Sequence, residues 1–124
     1  MGQKIKSFQD LVAWQKAFRL GIHVYELTKS FPADERFGLI SQLRRGAVSV
    51  PSNIAEGYGR GSRTDYIRFL KVARGALYEI ESQILFAAEL GYLNSQRVED
   101  LESQMAECSR ILGGLIKSLQ PKSP

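Results

Sequence analysis

Seven basic residues crowd the middle of this 124-residue chain: Arg44, Arg45, Arg60, Arg63, Arg68, Lys71 and Arg74. Six of them are arginine, whose planar fork binds a phosphate through two parallel hydrogen bonds. Tyr58 and Tyr66 lie among them as stacking faces for bases. The whole chain carries a formal charge of only +4, but the charge is unevenly laid out. Residues 36–74 hold eight basic groups against two acidic ones, a net +6, and residues 75–107 hold seven acids against Arg97 alone, a net −6. Such a layout either faces a polyanion with one end or pairs subunits with each other. Charge pattern alone leaves nucleic-acid binding and a solvated or subunit-pairing surface both open.

A second constellation is polar. Gln42, Ser49, Asn53 and Glu56 are seven, four and three residues apart, which places them on one side of a helix. Pro51 sits among them and removes a backbone donor, and its ring opposes the Ala47 carbonyl, so the helix is expected to kink or restart there. Small residues crowd the row: Gly46, Ala47, Ser52, Ala55 and Gly57. The motif Ser49, Pro51, Asn53, Glu56, Gly57 therefore reads in two ways. Either it is a close helix crossing whose polar groups satisfy the interrupted backbone, or it is a ligand site. Glu56 is expected to partner an arginine or a backbone amide.

Conventional catalytic or metal chemistry finds no footing. His23 is the only histidine and falls on a polar face beside Glu26, in water; Cys108 is the only cysteine and falls on an apolar seam of another helix. No nucleophile can be paired with a base, no disulfide can form within the chain, and no cofactor or metal is expected. Gly57-Tyr58-Gly59-Arg60-Gly61 lacks the spacing of a phosphate loop and reads as a hinge. No Glu-x-x-His pair exists for a di-iron bundle. The expectation is a protein that is not an enzyme.

These groups must be positioned by helices. Ser7 with Asp10 looks like a capping pair opening helix one. Along it, Leu11, Trp14, Phe18, Ile22 and Tyr25 form one apolar row and Ala13, Ala17, Leu20, Val24, Leu27 and Phe31 another. Together they span roughly 200° of the wheel against the roughly 100° that one core face requires, so a second buried surface is expected. Phe31-Pro32 ends the helix, and Asp34-Glu35 opens helix two, which carries Phe37, Leu39, Ile40 and Leu43 into the interrupted stretch around Pro51. Ser62 with Asp65 caps helix three, whose core row is Tyr66, Phe69 or Leu70, Ala73, Leu77, Ile80, Ile84 and Ala88, ending at Gly91. Leu93, Asn94 and Val98 form a staple and cap for helix four. There, Val98, Leu101, Met105, Cys108, Leu112, Leu115 and Leu119 repeat like a coiled-coil seam. Pro121-Lys122-Ser123-Pro124 should fray. The fold class is all-α, an up-down-up-down antiparallel four-helix bundle in one domain, with helices about 8–30, 34–57, 63–90 and 95–119 and helix two kinked near Pro51.

The composition, 44% apolar and 24% charged, suits a single soluble domain. No apolar run approaches the roughly 20 residues that span a bilayer, and Met1-Gly2-Gln3-Lys4-Ile5-Lys6 lacks the apolar core of a signal peptide. A cytoplasmic location and no membrane partner are expected.

Three stretches carry a resemblance. They are Ser7-Phe8-Gln9-Asp10-Leu11-Val12-Ala13-Trp14-Gln15-Lys16-Ala17, the run Ser49-Val50-Pro51-Ser52-Asn53-Ile54-Ala55-Glu56-Gly57, and Phe69-Leu70-Lys71-Val72-Ala73-Arg74-Gly75-Ala76-Leu77-Tyr78-Glu79. Phe31-Pro32, Gly38-Leu39, Gln42-Leu43-Arg44-Arg45 and Leu90-Gly91-Tyr92-Leu93 join them, and the match covers roughly residues 7–118. The chain resembles the small four-helix bundle proteins encoded in intervening sequences of bacterial 23S ribosomal RNA genes. Ala76 stands where serine is more usual. The resemblance implies a ring-shaped homopentamer and kinship with the accessory variability determinant of diversity-generating retroelements, a basic pentamer that binds nucleic acid and a reverse transcriptase. It brings no catalytic residue. The leading expectation is a non-enzymatic oligomer that binds nucleic acid, RNA before DNA, through the seven basic residues. The alternative is a protein-binding scaffold whose charged surfaces serve self-assembly.

Overall fold

The computed structural model describes residues 4–121; apart from Pro121, the tail expected to fray lies outside them. Four helices run α1 (Val12–Thr28), α2 (Leu39–Gly59), α3 (Arg63–Glu89) and α4 (Ser95–Leu119), and the described residues include no strand. Each helix packs on the next and α4 returns to α1, which closes an up-down-up-down four-helix bundle. No helix is long and apolar enough to cross a membrane among the described residues.

The starts of α3 and α4 follow their capping residues. Ser62 Oγ accepts from the Asp65 amide at 3.1 Å, and Asn94 Oδ1 accepts from the Arg97 amide at 2.9 Å. Gly61 and Gly91, at φ of +88° and +82°, supply the left-handed residues that the two turns require. α1 and α2 depart from expectation. Asp10 Oδ2 does accept from the Lys6 and Ser7 amides, at 2.8 and 3.2 Å, but this box opens a 3-10 turn over Phe8–Asp10. Leu11 is then extended, and the α-helix starts at Val12. A second 3-10 turn, Ala33–Glu35, delays α2 to Leu39 and leaves Phe37 before the helix, 89% exposed. Gly38 offers α2 no capping side chain. Glu35 replaces it: Oε1 accepts from the Leu39 amide at 3.1 Å, while Oε2 accepts from the Tyr92 hydroxyl at 2.8 Å. One carboxylate thus ties the α3–α4 turn to the start of α2.

The second apolar row of α1, from Ala13 to Phe31, is buried in full. On α3 the core position is Leu70, with Phe69 half-buried, and Ala87 replaces Ala88. On α4 the seam runs Leu101, Met105, Cys108, Leu112, Ile116, leaving Leu115 and Leu119 half-exposed. A straight helix of 3.6 residues per turn drifts off a strict 3.5 repeat, which moves the last contact by one residue.

α2 is α-helical without interruption through Pro51, so the expected restart is absent and the kink is not confirmed. The Ala47 carbonyl, whose usual donor Pro51 lacks, faces Gly21 of α1, where an added Cβ would lie 2.7 Å from the oxygen. Asn53 does not serve this carbonyl. Its Nδ2 donates to Ser49 O at 2.8 Å and to Ser49 Oγ at 3.1 Å, within the helix. The close crossing is real, with Gly21 on α1 as its second half; on the α3 side a Cβ at Gly46 would meet Ile80, and one at Gly57 would meet Phe69.

Candidate nucleic-acid interface

The structure divides the seven basic residues among several directions. Arg44 turns to α1: its Nε donates to Thr28 Oγ1 at 2.9 Å, Nη2 reaches the Tyr25 carbonyl at 3.5 Å, and the guanidinium lies 4.8 Å from the Tyr25 ring centre. It reaches one carbonyl of the last turn of α1, that of Tyr25, and is spent there. Arg60 and Arg68 flank the half-buried Phe69 ring at 5.2 and 4.5 Å, and Arg68 also pairs with Asp65 at 3.3 Å. Arg63 and Arg74 share a flank of α3 with Glu81, while Arg68 is turned about 120° from Arg74. Arg45, Arg60, Arg63 and Lys71 are exposed and Arg74 is half-buried; none of the five enters an ion pair among the described residues. Tyr58 and Tyr66, both half-buried, meet edge to face at 6.1 Å. Burial, and then the nearby Tyr58, push the Tyr66 hydroxyl above its usual pKa.

The polar row of α2 has a counterpart that sequence reasoning missed. Gln42, Arg45 and Ser49 line a groove of about 330 Å³ against Glu79 and Gln83 of α3, floored by Gly46 and Ala76. Gln83 Nε2 donates to Gln42 Oε1 at 3.3 Å, while Gln83 Oε1 is buried without a partner. The four-residue spacing of Glu79 and Gln83 was the available signal. Glu56 is exposed and makes no hydrogen bond or ion pair among the described residues, against the expectation that an arginine or amide would hold it.

The family profile described as "23S rRNA-intervening sequence protein" matches residues 9–114, which include the whole Ser49–Gly57 motif. The chain belongs to this family. A solved structure of a protein of unknown function, from the S23 ribosomal protein family of Bacteroides thetaiotaomicron VPI-5482, superposes with a TM-score of 0.79 at 23% identity. The match covers 86% of this chain and 96% of that one, and at this identity it speaks for the fold. No curated protein matches the chain.

In this intervening-sequence family member the surplus apolar row of α1 does not close into the core. Phe18, Ile22 and Tyr25 are each about 40% exposed and, with Trp14, Val48 and Pro51, line an apolar groove of about 350 Å³ between α1 and α2. Trp14 stacks on Phe18 at 4.9 Å and meets Phe8 edge-on at 5.2 Å, so the rim is ordered by its own rings. Elsewhere, Cys108 is buried, and burial pushes its thiol up to about 11, far from the thiolate a nucleophile needs. His23 lies exposed with Nδ1 2.9 Å from Gln104 Oε1, on a different helix from Cys108.

Proposed function

We propose that this family member is a non-enzymatic, self-associating bundle that binds nucleic acid, RNA in preference to DNA, mainly through phosphate contacts. The observation that carries the reading is the run of exposed cations Arg45, Arg60, Arg63 and Lys71, together with Arg74, which no acid of the described residues neutralises. Arg44 leaves the phosphate-binding set because α1 holds it, and Arg68 contributes through a guanidinium already shared with Asp65. Self-association is supported by the apolar α1–α2 groove, where Phe18, Ile22, Tyr25 and Val48 are exposed side by side. A pentameric ring is the assembly that the family resemblance implies, and a reducing cytoplasm suits the lone free thiol. The family's description, which mentions 23S rRNA, supports putting RNA ahead of DNA in this reading.

Titration of a structured RNA at about 50 and 200 mM salt tests this. With roughly four phosphates contacted, affinity should fall by about two orders of magnitude between the two conditions. Absence of binding at either salt overturns the reading. The −6 segment favours a second reading, a scaffold in which acids of one subunit meet cations of the next. Replacing Arg60, Arg63 and Lys71 by glutamate separates the two. An intact assembly that no longer retains RNA supports nucleic-acid binding, and loss of assembly mass supports the scaffold.

A further inference from the structure

Of the exposed cations only Arg45 lines the groove that joins the polar row of α2 to Glu79 and Gln83. Its volume, about 330 Å³, lies at the small end of the roughly 300–1,000 Å³ typical of small-ligand sites. Gly46 and Ala76 keep the floor free of bulk, so a flat group can lie against it. Arg45 and Glu79 both line the groove yet do not pair with each other, so a cationic fork and a carboxylate stand available to a third party. Ser49 Oγ accepts from Asn53 Nδ2 at 3.1 Å, which leaves the serine hydroxyl proton to donate. The Gln42–Gln83 amide contact leaves Gln83 Oε1 buried and unpartnered. Exchanging O and N in the two amides would only move the deficit to Gln83 Nε2.

We infer that this α2–α3 groove receives an unstacked guanine of a bound RNA strand, an inference that rests on the nucleic-acid reading above. Among the bases, guanine offers two acceptors, O6 and N7, on one edge, where an arginine fork fits them in bidentate fashion. On its Watson–Crick edge it presents the N1 and N2 donors that a carboxylate accepts. It can therefore engage Arg45 and Glu79 together, while Gln42, Ser49 and Gln83 meet the remaining polar positions. Single-stranded RNA is read in this way, with bases splayed from the stack and recognised at their edges. On this assignment Asn53 is a positioning residue that sets the direction of the Ser49 hydroxyl.

Fluorescence anisotropy with two labelled 12-nucleotide RNAs tests the inference, one composed of A, C and U only and the other carrying three guanines in the same context. The full chain should bind the guanine-containing strand about tenfold more tightly, the order of discrimination one good bidentate pair gives. Glu79→Gln and Gln83→Leu should each bring the ratio towards one while leaving affinity for the guanine-free strand and the helical circular dichroism unchanged. Equal affinity for the two strands, preference for the guanine-free strand, or a ratio that survives both substitutions overturns the guanine site and leaves phosphate binding standing. Failure to bind either strand overturns the nucleic-acid reading and the guanine site with it.

Discussion

Arg44 sends its guanidinium to Thr28 Oγ1 and the Tyr25 ring on α1, while Arg45, one residue on, lines the groove against α3. Successive helix positions are about 100° apart, so two adjacent arginines can face different neighbours. A charge count cannot tell them apart, and for that reason both were assigned to phosphate. Arg44→Ala should lower stability by about 1–2 kcal/mol in urea unfolding, through the lost hydrogen bonds and the packing of its stem. RNA affinity should hardly change. Arg44→Lys should not restore the loss, since an ammonium lacks the flat fork that reaches the hydroxyl, the carbonyl and the ring at once. Glu56 was misjudged for a related reason. Its helical position beside apolar residues was legible, but the side chain's exit to solvent depends on how far α3 reaches round α2.

Between elements, α3 and α4 carry most of the acidic segment and meet through it. A side-chain hydrogen bond with Glu81, then burial, then the Glu81 charge raise the Glu102 carboxyl above its ordinary 4.5. The folded chain therefore favours the protonated acid. That contribution to stability is complete below pH 4.5 and is lost as pH climbs through the raised folded value. Glu102→Gln should flatten the stability profile above pH 4.5 and stabilise the protein at pH 7, by no more than about 0.5 kcal/mol because the pair is well solvated. Thermal melts between pH 4 and 8 check this, and superimposable profiles for the two proteins would refute it. At the same scale, α3 and α4 were legible almost to the residue because Ser62 and Asn94 are unambiguous caps. α1 and α2 were not, because a capping box opens a 3-10 turn as readily as an α-helix, and only the extended Leu11 and the capless Gly38 divide the two. Pro51 misled for a different reason: the residue packed against the carbonyl it leaves without a donor, Gly21, lies 30 positions earlier on another helix.

In the molecule as a whole, the excess apolar surface of helix one was readable from its wheel, whereas its companion wall of Val48 and Pro51 required the α1–α2 packing. If that groove joins copies of the chain, Phe18→Glu should abolish the assembly while leaving a folded monomer. Phe18 is already 40% exposed, so the bundle itself should lose less than about 1 kcal/mol. Light scattering coupled to gel filtration, with circular dichroism alongside, reads both effects; an unaltered mass would exclude the groove as the contact. Gly21, Ala47 and Pro51 all line this groove, so the near touch of Gly21 and the Ala47 oxygen forms part of its bed. Main chain has no rotamers with which to accommodate a visitor, and α1 cannot slide along α2 without driving that oxygen into a neighbouring turn. The bed of the trough is thus fixed, and only the side chains of its walls can adjust to what seats there.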